Sequence, residues 1–186
     1  MEPTDGNGKR YDTVIVGGGQ AGLAVGYHLQ RLGRQFVILD AGQRCGDSWR
    51  GRWDSLRLFT PAWADQLPGM PFPGPRGSCP TKDEMADYLD SYAARFDLPV
   101  QRGVRVDGLS RHDGLFRVSA GRRHWTADNV VVAMSIWQDP ARPGFAAELD
   151  PDIVALHSAE YRNPAQLRDG DVLVVGASNS GAEIAL

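Results

Sequence analysis

Six residues near the start of the chain have the types and spacing that bind phosphate groups. The run G-G-G-Q-A-G at residues 17–22 fits the pattern G-x-G-x-x-G. In that pattern Gly17 permits a tight turn, Gly19 lets the backbone approach a pyrophosphate, and Gly22 lets a helix pack closely on a strand. The first N–H groups of the helix are unpaired and attract phosphate. The run predicts a site for an ADP-containing dinucleotide and does not distinguish FAD from NAD.

The elements around this turn are the ones that the pattern requires. Residues 12–16 form a short apolar, β-branched run, which is typical of a buried parallel strand, and residues 21–32 have helical spacing. A second apolar strand at residues 36–39 ends at Asp40, which follows Gly22 by 18 residues. An acid at this distance can accept hydrogen bonds from a ribose diol. The sequence therefore predicts a Rossmann-like βαβ unit.

A second run of the same kind lies close to the end of the chain. The apolar run at residues 171–175 predicts a buried strand, and G-A-S-N-S-G follows at residues 176–181, with serine in place of the middle glycine. A serine hydroxyl can donate a hydrogen bond to a phosphate, so this run predicts a second dinucleotide site. Its predicted binding residues are Gly176, Ser178, Asn179, Ser180 and Gly181.

The middle of the chain divides into an irregular segment, a helix and a set of short strands. Residues 42–77 are rich in Gly, Pro, Trp and Arg and have no sustained period, which is typical of a functional loop. Thr81 and Glu84 form a capping-box pattern that predicts a helix from Lys82 to about Phe96. Strands are predicted at residues 100–106, 115–119, 124–126 and 129–133.

Composition narrows the class of protein. The 186 residues are 42% hydrophobic and 23% charged, with a net charge of −3, which disfavours a nucleic-acid partner. No apolar run is long enough to span a membrane, and residues 1–10 predict a disordered polar tail without a secretory signal, so cytoplasmic location is expected. The cysteines, Cys45 and Cys79, form no C-x-x-C pattern, so we expect neither a metal site nor a thiol redox pair.

An ordered series of segments resembles a known family. It is similar to the class B, flavin-containing type of flavin-dependent monooxygenase, including plant auxin-pathway enzymes, within the two-dinucleotide-binding FAD/NAD(P) oxidoreductases. The segments that carry the resemblance are VIVGGGQAGLAVGYHL, GDSWRGRWDSLRLFTPA at residues 46–62, LPGMPFP at 67–73, PTKDEMADYLDSYA at 80–93, HSAEYRNP at 157–164 and VLVVGASNSGAEIAL.

The resemblance implies cofactors and a reaction. It places FAD at the first run, with Trp49, Arg52 and the residues up to Thr60 near the flavin, and NADPH at the second run. The implied reaction passes through a flavin C4a-hydroperoxide that transfers oxygen from O2 to a small-molecule substrate. A surround of Trp49, Trp53, Phe59, Trp63 and Phe72 would suit the exclusion of water from the flavin, and the alternative, which we expect for most of these aromatics, is an ordinary position in the core. No individual catalytic residue is identified.

The resemblance also implies a domain organisation. The fold class is α/β, with a Rossmann-like FAD-binding domain, made of a parallel sheet and a β-meander, at residues 11–165. The start of a second Rossmann-like, NAD(P)-binding domain follows at residues 166–186. Because relatives return to the FAD domain after the second one, we expect the chain to be a truncated form that is inactive alone. At Ala133-Met134-Ser135 the family usually has A-T-G, so bulkier side chains are expected beside the flavin.

Three other functions remain open from the sequence. A flavin-dependent disulfide reductase requires a cysteine pair, and Cys45 has no cysteine close to it in the chain. An NAD(P)H–FAD oxidoreductase that passes electrons on without oxygenating a substrate is compatible with Met134 and Ser135. A non-catalytic cofactor-binding fragment is the remaining alternative. The sequence does not specify the substrate, the choice between NADH and NADPH, or the oligomeric state.

Overall fold

A mixed six-stranded sheet with helices on one face positions the first glycine run. The computed structural model describes residues 9–135 and 139–186. The strands are β1 (Arg10–Val16), β2 (Phe36–Leu39), β3 (Val100–Gln101), β4 (Gly108–His112), β5 (Leu115–Ala120) and β6 (Arg123–Val132). The α-helices are α1 (Gln20–Arg31), α2 (Asp47–Arg50), α3 (Lys82–Arg95) and α4 (Asn179–Ala185), and short 3₁₀ helices span Gly144–Glu148 and Pro164–Gln166.

The strand order β3-β2-β1-β6-β5-β4 combines a parallel half with a meander. The strands β3, β2, β1 and β6 run parallel, whereas β6, β5 and β4 are antiparallel. At the centre, Val14 of β1 lies between Val37 of β2 and Val130 of β6. This arrangement confirms the predicted α/β class with a parallel sheet and a β-meander.

The two faces of the sheet bury separate hydrophobic clusters, because successive side chains of a strand point to opposite faces. Ile15 and Ile38 belong to the cluster that α1 and α3 cover. Val14 and Val37 belong to the other cluster, which includes the fully buried Trp125. The uninterrupted apolar runs of β1 and β2 therefore pack on both sides, as buried parallel strands do.

The predicted strands in the meander are only partly correct. The strand predicted at 100–106 ends at Gln101, since Gly103 adopts a φ of +66° and the chain turns away from β2. The strands predicted at 124–126 and 129–133 form one continuous strand, β6. The strand β4 was not predicted, because four of its five residues are exposed and show no apolar alternation.

The prediction of a buried strand at residues 171–175 is wrong. No strand forms there in the described part of the chain, and the apolar side chains are exposed, up to 86% for Leu173. A strand needs a neighbour for its backbone hydrogen bonds, and residues 171–175 pair with none of the six strands described. The proposed division into domains at residues 165 and 166 stays a prediction.

The start of the chain also differs from the prediction. Residues 1–8 of the predicted tail lie outside the described residues. Arg10 already belongs to β1, pairs with Thr126 of β6, and forms an ion pair with Asp128. The ordered structure therefore includes Arg10, which the prediction assigned to the tail. Within the described ranges, no helix combines the length and apolarity needed to cross a membrane.

The helix α3 supports the irregular segment that follows α2. Tyr88 Oη accepts a hydrogen bond from Leu67 N at 2.7 Å and donates one to Met70 O at 2.7 Å. Tyr92 Oη donates to Pro68 O at 2.7 Å. Both tyrosines are buried, so these bonds satisfy hydroxyl groups inside the core while they fix a Pro-Gly turn of the segment.

We expect Thr81→Ala to lower the free energy of unfolding by about 1 kcal/mol, because α3 begins with a complete capping box. The Thr81 side chain accepts from Glu84 N at 3.2 Å, and Glu84 accepts from Thr81 N at 2.7 Å. Urea denaturation would measure the change. Ser110, which is exposed and lies in β4, provides the control Ser110→Ala. Equal stability of the two variants would contradict the prediction.

A pH dependence follows from the same cap. The backbone N–H and then the hydroxyl of Thr81 lower the pKa of Glu84. A carboxylate whose pKa is lowered in the folded state adds stability at neutral pH and loses it as the pH falls below about 4.3 through the folded pKa. We therefore expect Glu84→Gln to destabilise the protein at pH 7 and to have a smaller effect near pH 3, measured by thermal unfolding.

Candidate dinucleotide-binding site

A cleft of about 820 Å³ lies at the carboxyl ends of the central parallel strands. In open α/β sheets ligands bind in this position, outside the strand ends. Five of the residues predicted to bind FAD line the cleft: Gly17, Gly19, Asp40, Trp49 and Arg52. Gly22 is not among the lining residues and is buried in α1. The five predicted residues that line the cleft span 36 positions of the sequence, and the fold brings them together.

Two glycines of the first run are required by packing inside the protein. Gly17 has a φ of +106°, and a Cβ there would lie 2.6 Å from the carbonyl oxygen of Ala133. A Cβ on Gly22 would overlap the carbonyl oxygen of Gly17, well inside van der Waals contact. These residues therefore let β1, α1 and the end of β6 approach each other, as the pattern predicts for Gly22.

Gly19 is different, because packing within the protein does not require it. A Cβ on Gly19 would meet no atom within 4 Å, and Gly19 lines the cleft. It is also the N-cap of α1, where no side chain accepts from the first-turn N–H groups. An open approach to a helix N-terminus without a side-chain cap fits a pyrophosphate, which those N–H groups would bind.

The carboxylate of Asp40 joins the two loops that border the cleft. Its Oδ2 accepts from Gly18 N at 2.5 Å, and its Oδ1 accepts from Gly42 N at 2.7 Å. Each carboxylate oxygen can accept a second hydrogen bond. Asp40 therefore holds the glycine turn against the loop after β2 and keeps acceptor capacity for a ribose. The sequence prediction included only the ribose role.

The end of β6 forms another wall of the cleft. Ala133, Met134 and Ser135 all line it, and Ala133 N donates to Val16 O at 2.7 Å. Ser135 has a φ of +63°, in the left-handed region that glycine adopts more readily. The strand end therefore approaches the glycine turn closely even though Met and Ser replace the Thr and Gly of the resembled family.

The helix α2 and the turn that follows it bring Trp49 and Arg52 to the cleft. Gly46 precedes α2 with a φ of +85°, and a Cβ there would lie 2.6 Å from the Cα of Ala86 in α3. Trp49 is partly buried and packs against the cluster under α1 and α3. Close packing of the start of α2 on α3 therefore fixes the wall that carries these two side chains.

Arg50 supports this wall and was missed by the sequence analysis. Its Nη1 donates to the carbonyl oxygen of Cys45 at 2.8 Å, and its Nη2 donates to Asp87 Oδ1 at 2.7 Å. It also pairs with Asp47 at 3.3 Å, and only 17% of its side chain is exposed. Arg50 thereby ties both ends of α2 to α3. Nothing in the residue spacing distinguishes it from the neighbouring arginines.

Of the five aromatics that could surround the flavin, two are core residues, two are exposed and one lines the cleft. Trp53 and Phe72 are buried in the hydrophobic cluster under α1 and α3, where they act as ordinary core residues. Phe59 and Trp63 are 75% and 53% exposed and do not line the cleft. Trp49 is the member of this group that lines the cleft. Sequence alone did not separate core from cleft because all five lie in one segment without periodicity.

The segment at residues 157–164 packs on the loop after α2. The carbonyl oxygen of Arg162 accepts from Asp54 N at 2.7 Å, and Asn163 Nδ2 donates to Asp54 Oδ2 at 2.7 Å. His157 Nδ1 accepts from Ala159 N at 3.1 Å, which gives this histidine a local role in a turn. The structure thus unites two of the segments on which the family resemblance rests.

The second glycine run repeats the local geometry of the first. Gly176 has a φ of +113°, close to that of Gly17, and a Cβ on Gly181 would overlap the carbonyl oxygen of Gly176. Ser178 is the N-cap of α4 and makes no side-chain cap. Asn179 and Ser180 open α4. The five predicted residues therefore form a turn and helix start outside the first cleft, and their cofactor role stays a prediction.

The two cysteines differ in their exposure to solvent. Cys45 is buried and Cys79 is exposed, and both are free thiols. Burial raises the pKa of the Cys45 thiol, which disfavours the reactive thiolate. Within residues 9–135 and 139–186 there is no group of three or more His, Cys, Asp or Glu that could hold a metal.

The fold and the cleft define a protein of the α/β dinucleotide-binding class. The chain belongs to the pyridine nucleotide-disulphide oxidoreductase family, which it matches over residues 14–186. Its structure is similar to that of a flavin monooxygenase from Stenotrophomonas maltophilia, with a TM-score of 0.87 and 38% sequence identity. The match covers 95% of this chain and 53% of that chain. These matches confirm the predicted relation to flavin monooxygenases and support an oxidoreductase.

Curated relatives include bacterial and plant proteins. The chain is 46% identical to an uncharacterized CzcO-like oxidoreductase of Geobacillus kaustophilus over 94% of its own length and 50% of the relative. It is 36% identical to a probable indole-3-pyruvate monooxygenase of Arabidopsis thaliana over 93% of its length and 43% of the relative. The chain thus spans about half the length of the curated relatives it matches.

We expect Gly22→Ala and Gly19→Ala to differ sharply in stability without any ligand. A Cβ at Gly22 would overlap the backbone of Gly17, so Gly22→Ala should lower the free energy of unfolding by about 2–3 kcal/mol. A Cβ at Gly19 meets open space, so Gly19→Ala should cost less than about 1 kcal/mol. Chemical denaturation measures both values, and a larger loss for Gly19→Ala would disprove the assignment.

Asp40→Asn should destabilise the ligand-free protein by about 1–2 kcal/mol, because the amide replaces one of the two oxygens that accept from Gly18 and Gly42 with an NH2 group, which cannot accept from an N–H. Asp139 is exposed and does not line the cleft, so Asp139→Asn provides a control with the same change of charge. Hydrogen exchange at the amides of Gly18 and Gly42 would locate the effect. Unchanged protection at both amides in Asp40→Asn would show that the carboxylate does not join the loops.

Proposed function

We propose that the chain binds FAD in the cleft at the carboxyl ends of β1 and β2, and that it forms the FAD-binding part of an NADPH-using flavin monooxygenase. The observation that carries the proposal is the open position of Gly19 at the N-terminus of α1, beside the carboxylate of Asp40. Together these groups offer hydrogen bonds to a pyrophosphate and to a ribose, as an ADP moiety requires.

The extent of the cleft favours FAD over a nicotinamide dinucleotide at this position. Beyond Asp40 the cleft continues along Trp49 and Arg52 on one element and Met134 and Ser135 on another. These residues provide apolar and polar surface for a ring system that lies beyond the ADP moiety. The similarity to a flavin monooxygenase at 38% identity supports the same choice.

Each wall of the cleft would have a separate part in holding FAD. The first turn of α1 would bind the pyrophosphate and Asp40 would bind a ribose, while Gly17 and Gly22 keep the turn in shape. Trp49 would cover part of the ring system and exclude water from it. Bound FAD would supply the redox chemistry, which consists of accepting electrons from a reduced nicotinamide and activating O2.

The second glycine run is the proposed site of the nicotinamide cofactor. The run repeats the strained first glycine and the tight contact between Gly181 and Gly176 that characterise the first run. The residues proposed to hold NADPH are Gly176, Ser178, Asn179, Ser180 and Gly181. The assignment of NADPH, O2 and a small-molecule substrate rests on similarity to flavin monooxygenases.

A second candidate function is an NAD(P)H–FAD oxidoreductase that transfers electrons without oxygenation. It is favoured by the bulky side chain of Met134 and by Ser135, both of which line the cleft where the resembled family has smaller residues. Disulfide reduction has no comparable support, because Cys45 is buried, Cys79 is exposed, and neither lines the cleft.

The proposed cofactor site is tested by flavin binding. We expect the purified chain to bind FAD in a 1:1 ratio, detected by visible absorption and by quenching of flavin fluorescence. Gly19→Val should weaken binding at least about tenfold, because a side chain would occupy the approach to α1. Gly77, which is exposed, has no positive φ and has no neighbour for a Cβ, allows the matched control Gly77→Val. Equal FAD affinity in Gly19→Val and the wild type would refute the site.

Product analysis separates the candidate functions. The protein is supplied with FAD, NADPH, 18O-labelled O2 and a thioether, and the products are identified by mass spectrometry. Monooxygenation predicts a sulfoxide that carries 18O. Consumption of NADPH with hydrogen peroxide or a reduced acceptor as the product indicates electron transfer instead. Binding of FAD without consumption of NADPH indicates a cofactor-binding fragment.

A further inference from the structure

The methionines of the described chain differ in how far solvent reaches them. Met85 of α3 is fully buried in the hydrophobic cluster under α1 and α3. Met70 is partly buried and packs against the same cluster. Met134 is 41% exposed and lines the cleft. Of these three residues, Met134 is therefore the most accessible to a small solute that enters the cleft.

The backbone on both sides of Met134 holds this residue against the glycine turn. Ala133 N donates a hydrogen bond to Val16 O at 2.7 Å, and Ser135 adopts a left-handed φ of +63°. A Cβ on Gly17 would lie 3.0 Å from the Cα of Met134. Met134 therefore lies beside the turn that leads into α1, where the FAD pyrophosphate is proposed to bind.

The side chain of Met134 is a thioether, which is a soft nucleophile that peroxides oxidise. A sulfur lone pair attacks one peroxide oxygen, so that an S–O bond forms and the O–O bond breaks. The sulfur loses two electrons, and the second oxygen takes the proton of the first and leaves as water. The product is a sulfoxide, which is polar where the thioether was apolar.

We propose that Met134 is an oxidation site at which hydrogen peroxide converts the thioether to the sulfoxide, and that this change weakens the binding of FAD in the cleft. The inference rests on the proposed FAD site, because FAD is both the ligand affected and a source of the oxidant. Reduced FAD that transfers two electrons and two protons to O2 yields oxidised FAD and hydrogen peroxide. The peroxide can thus form in the cleft or arrive from solution.

The sulfoxide opposes the binding of FAD for an electrostatic reason. Its oxygen carries a partial negative charge, and the pyrophosphate that the first turn of α1 is proposed to attract is also negative. A negative centre at Met134 repels the pyrophosphate from the neighbouring turn. We therefore expect the sulfoxide to weaken FAD binding at least about fivefold.

Thiols also react with peroxides, so the cysteines need a separate control. Cys79 is an exposed free thiol that does not line the cleft, whereas Cys45 is buried. The variant Cys79→Ser removes the exposed thiol and serves as the parent protein for the experiments. Methionine sulfoxide reductases act on the sulfoxide, so recovery after treatment with them assigns an effect to methionine.

The first experiment measures the rate of oxidation at each methionine. The parent protein without FAD is treated with hydrogen peroxide, and catalase stops the reaction. Mass spectrometry then quantifies the sulfoxide in tryptic peptides, in which Met70, Met85 and Met134 are separate. We expect Met134 to react faster than Met70 and at least about fivefold faster than the buried Met85. A rate for Met134 at or below that of Met70 overturns the oxidation site.

The second experiment measures FAD affinity before and after oxidation, by quenching of flavin fluorescence. The parent should lose affinity at least about fivefold and recover it after treatment with the reductases. Met134→Leu keeps a side chain of similar volume that peroxide does not oxidise, so its affinity should not change on peroxide treatment. The matched control Met70→Leu should lose affinity as the parent does. An equal loss in Met134→Leu and the parent overturns the proposal, and thermal unfolding of each oxidised sample controls for damage to the fold.

The source of the peroxide is decided with labelled oxygen. FAD bound to the parent is reduced by light and EDTA without air and is then mixed with 18O2, with or without catalase. Appearance of 18O in Met134 in the presence of catalase supports oxidation within the cleft, because catalase destroys peroxide that reaches the solution. Appearance of 18O only without catalase supports oxidation from solution. Absence of 18O from Met134 in both samples overturns its oxidation by peroxide from the flavin.

Failure of the proposed function gives a different result from failure of this inference. If the parent binds no FAD, the proposed function and the effect on binding fail together, while the rates of the first experiment still decide whether Met134 is an oxidation site. If the parent binds FAD and its affinity is the same after Met134 is oxidised, the proposed function stands and the inferred effect of the sulfoxide is wrong.

Discussion

The carboxylate of Asp40 is the contact on which the cleft depends. By accepting from Gly18 and Gly42, it joins the turn before α1 to the loop after β2. Both loops follow adjacent parallel strands, so β1 and β2 set where the loops begin. The Asp40 side chain then sets the distance between the two loops. An acid is suited to this role because it offers two oxygens that only accept. The same group can therefore shape the site and contact its ligand.

The rest of the cleft relies on α3, which contributes no residue to its lining. Gly46 packs on Ala86, and Arg50 bonds to Asp87, so α2 is held at two points of the same helix. Further along α3, Tyr88 and Tyr92 fix the Pro-Gly turn. A helix with a full capping box and a buried apolar face is a stiff support for a loop without regular structure.

The two glycine runs have the same local backbone geometry but different surroundings in the fold. Each run has a positive φ at its first glycine and a tight contact with its last glycine, so this geometry is local. Their surroundings differ, because Gly17 is packed against Ala133 whereas a Cβ on Gly176 would meet nothing within 4 Å. A closed binding surface therefore forms only where β6 adds a third wall.

The sequence by itself determined β1, α1, β2 and α3, together with the glycine turn and Asp40, because apolar periodicity, caps and close-packed glycines are local signals. It did not determine β4, the exposure of residues 171–175, or which aromatics face the cleft. Nor did it indicate Arg50 as the side chain that holds α2 against α3. Only the tertiary structure decided these features, since strand pairing, burial and contacts between distant loops depend on partners that local residue patterns do not specify.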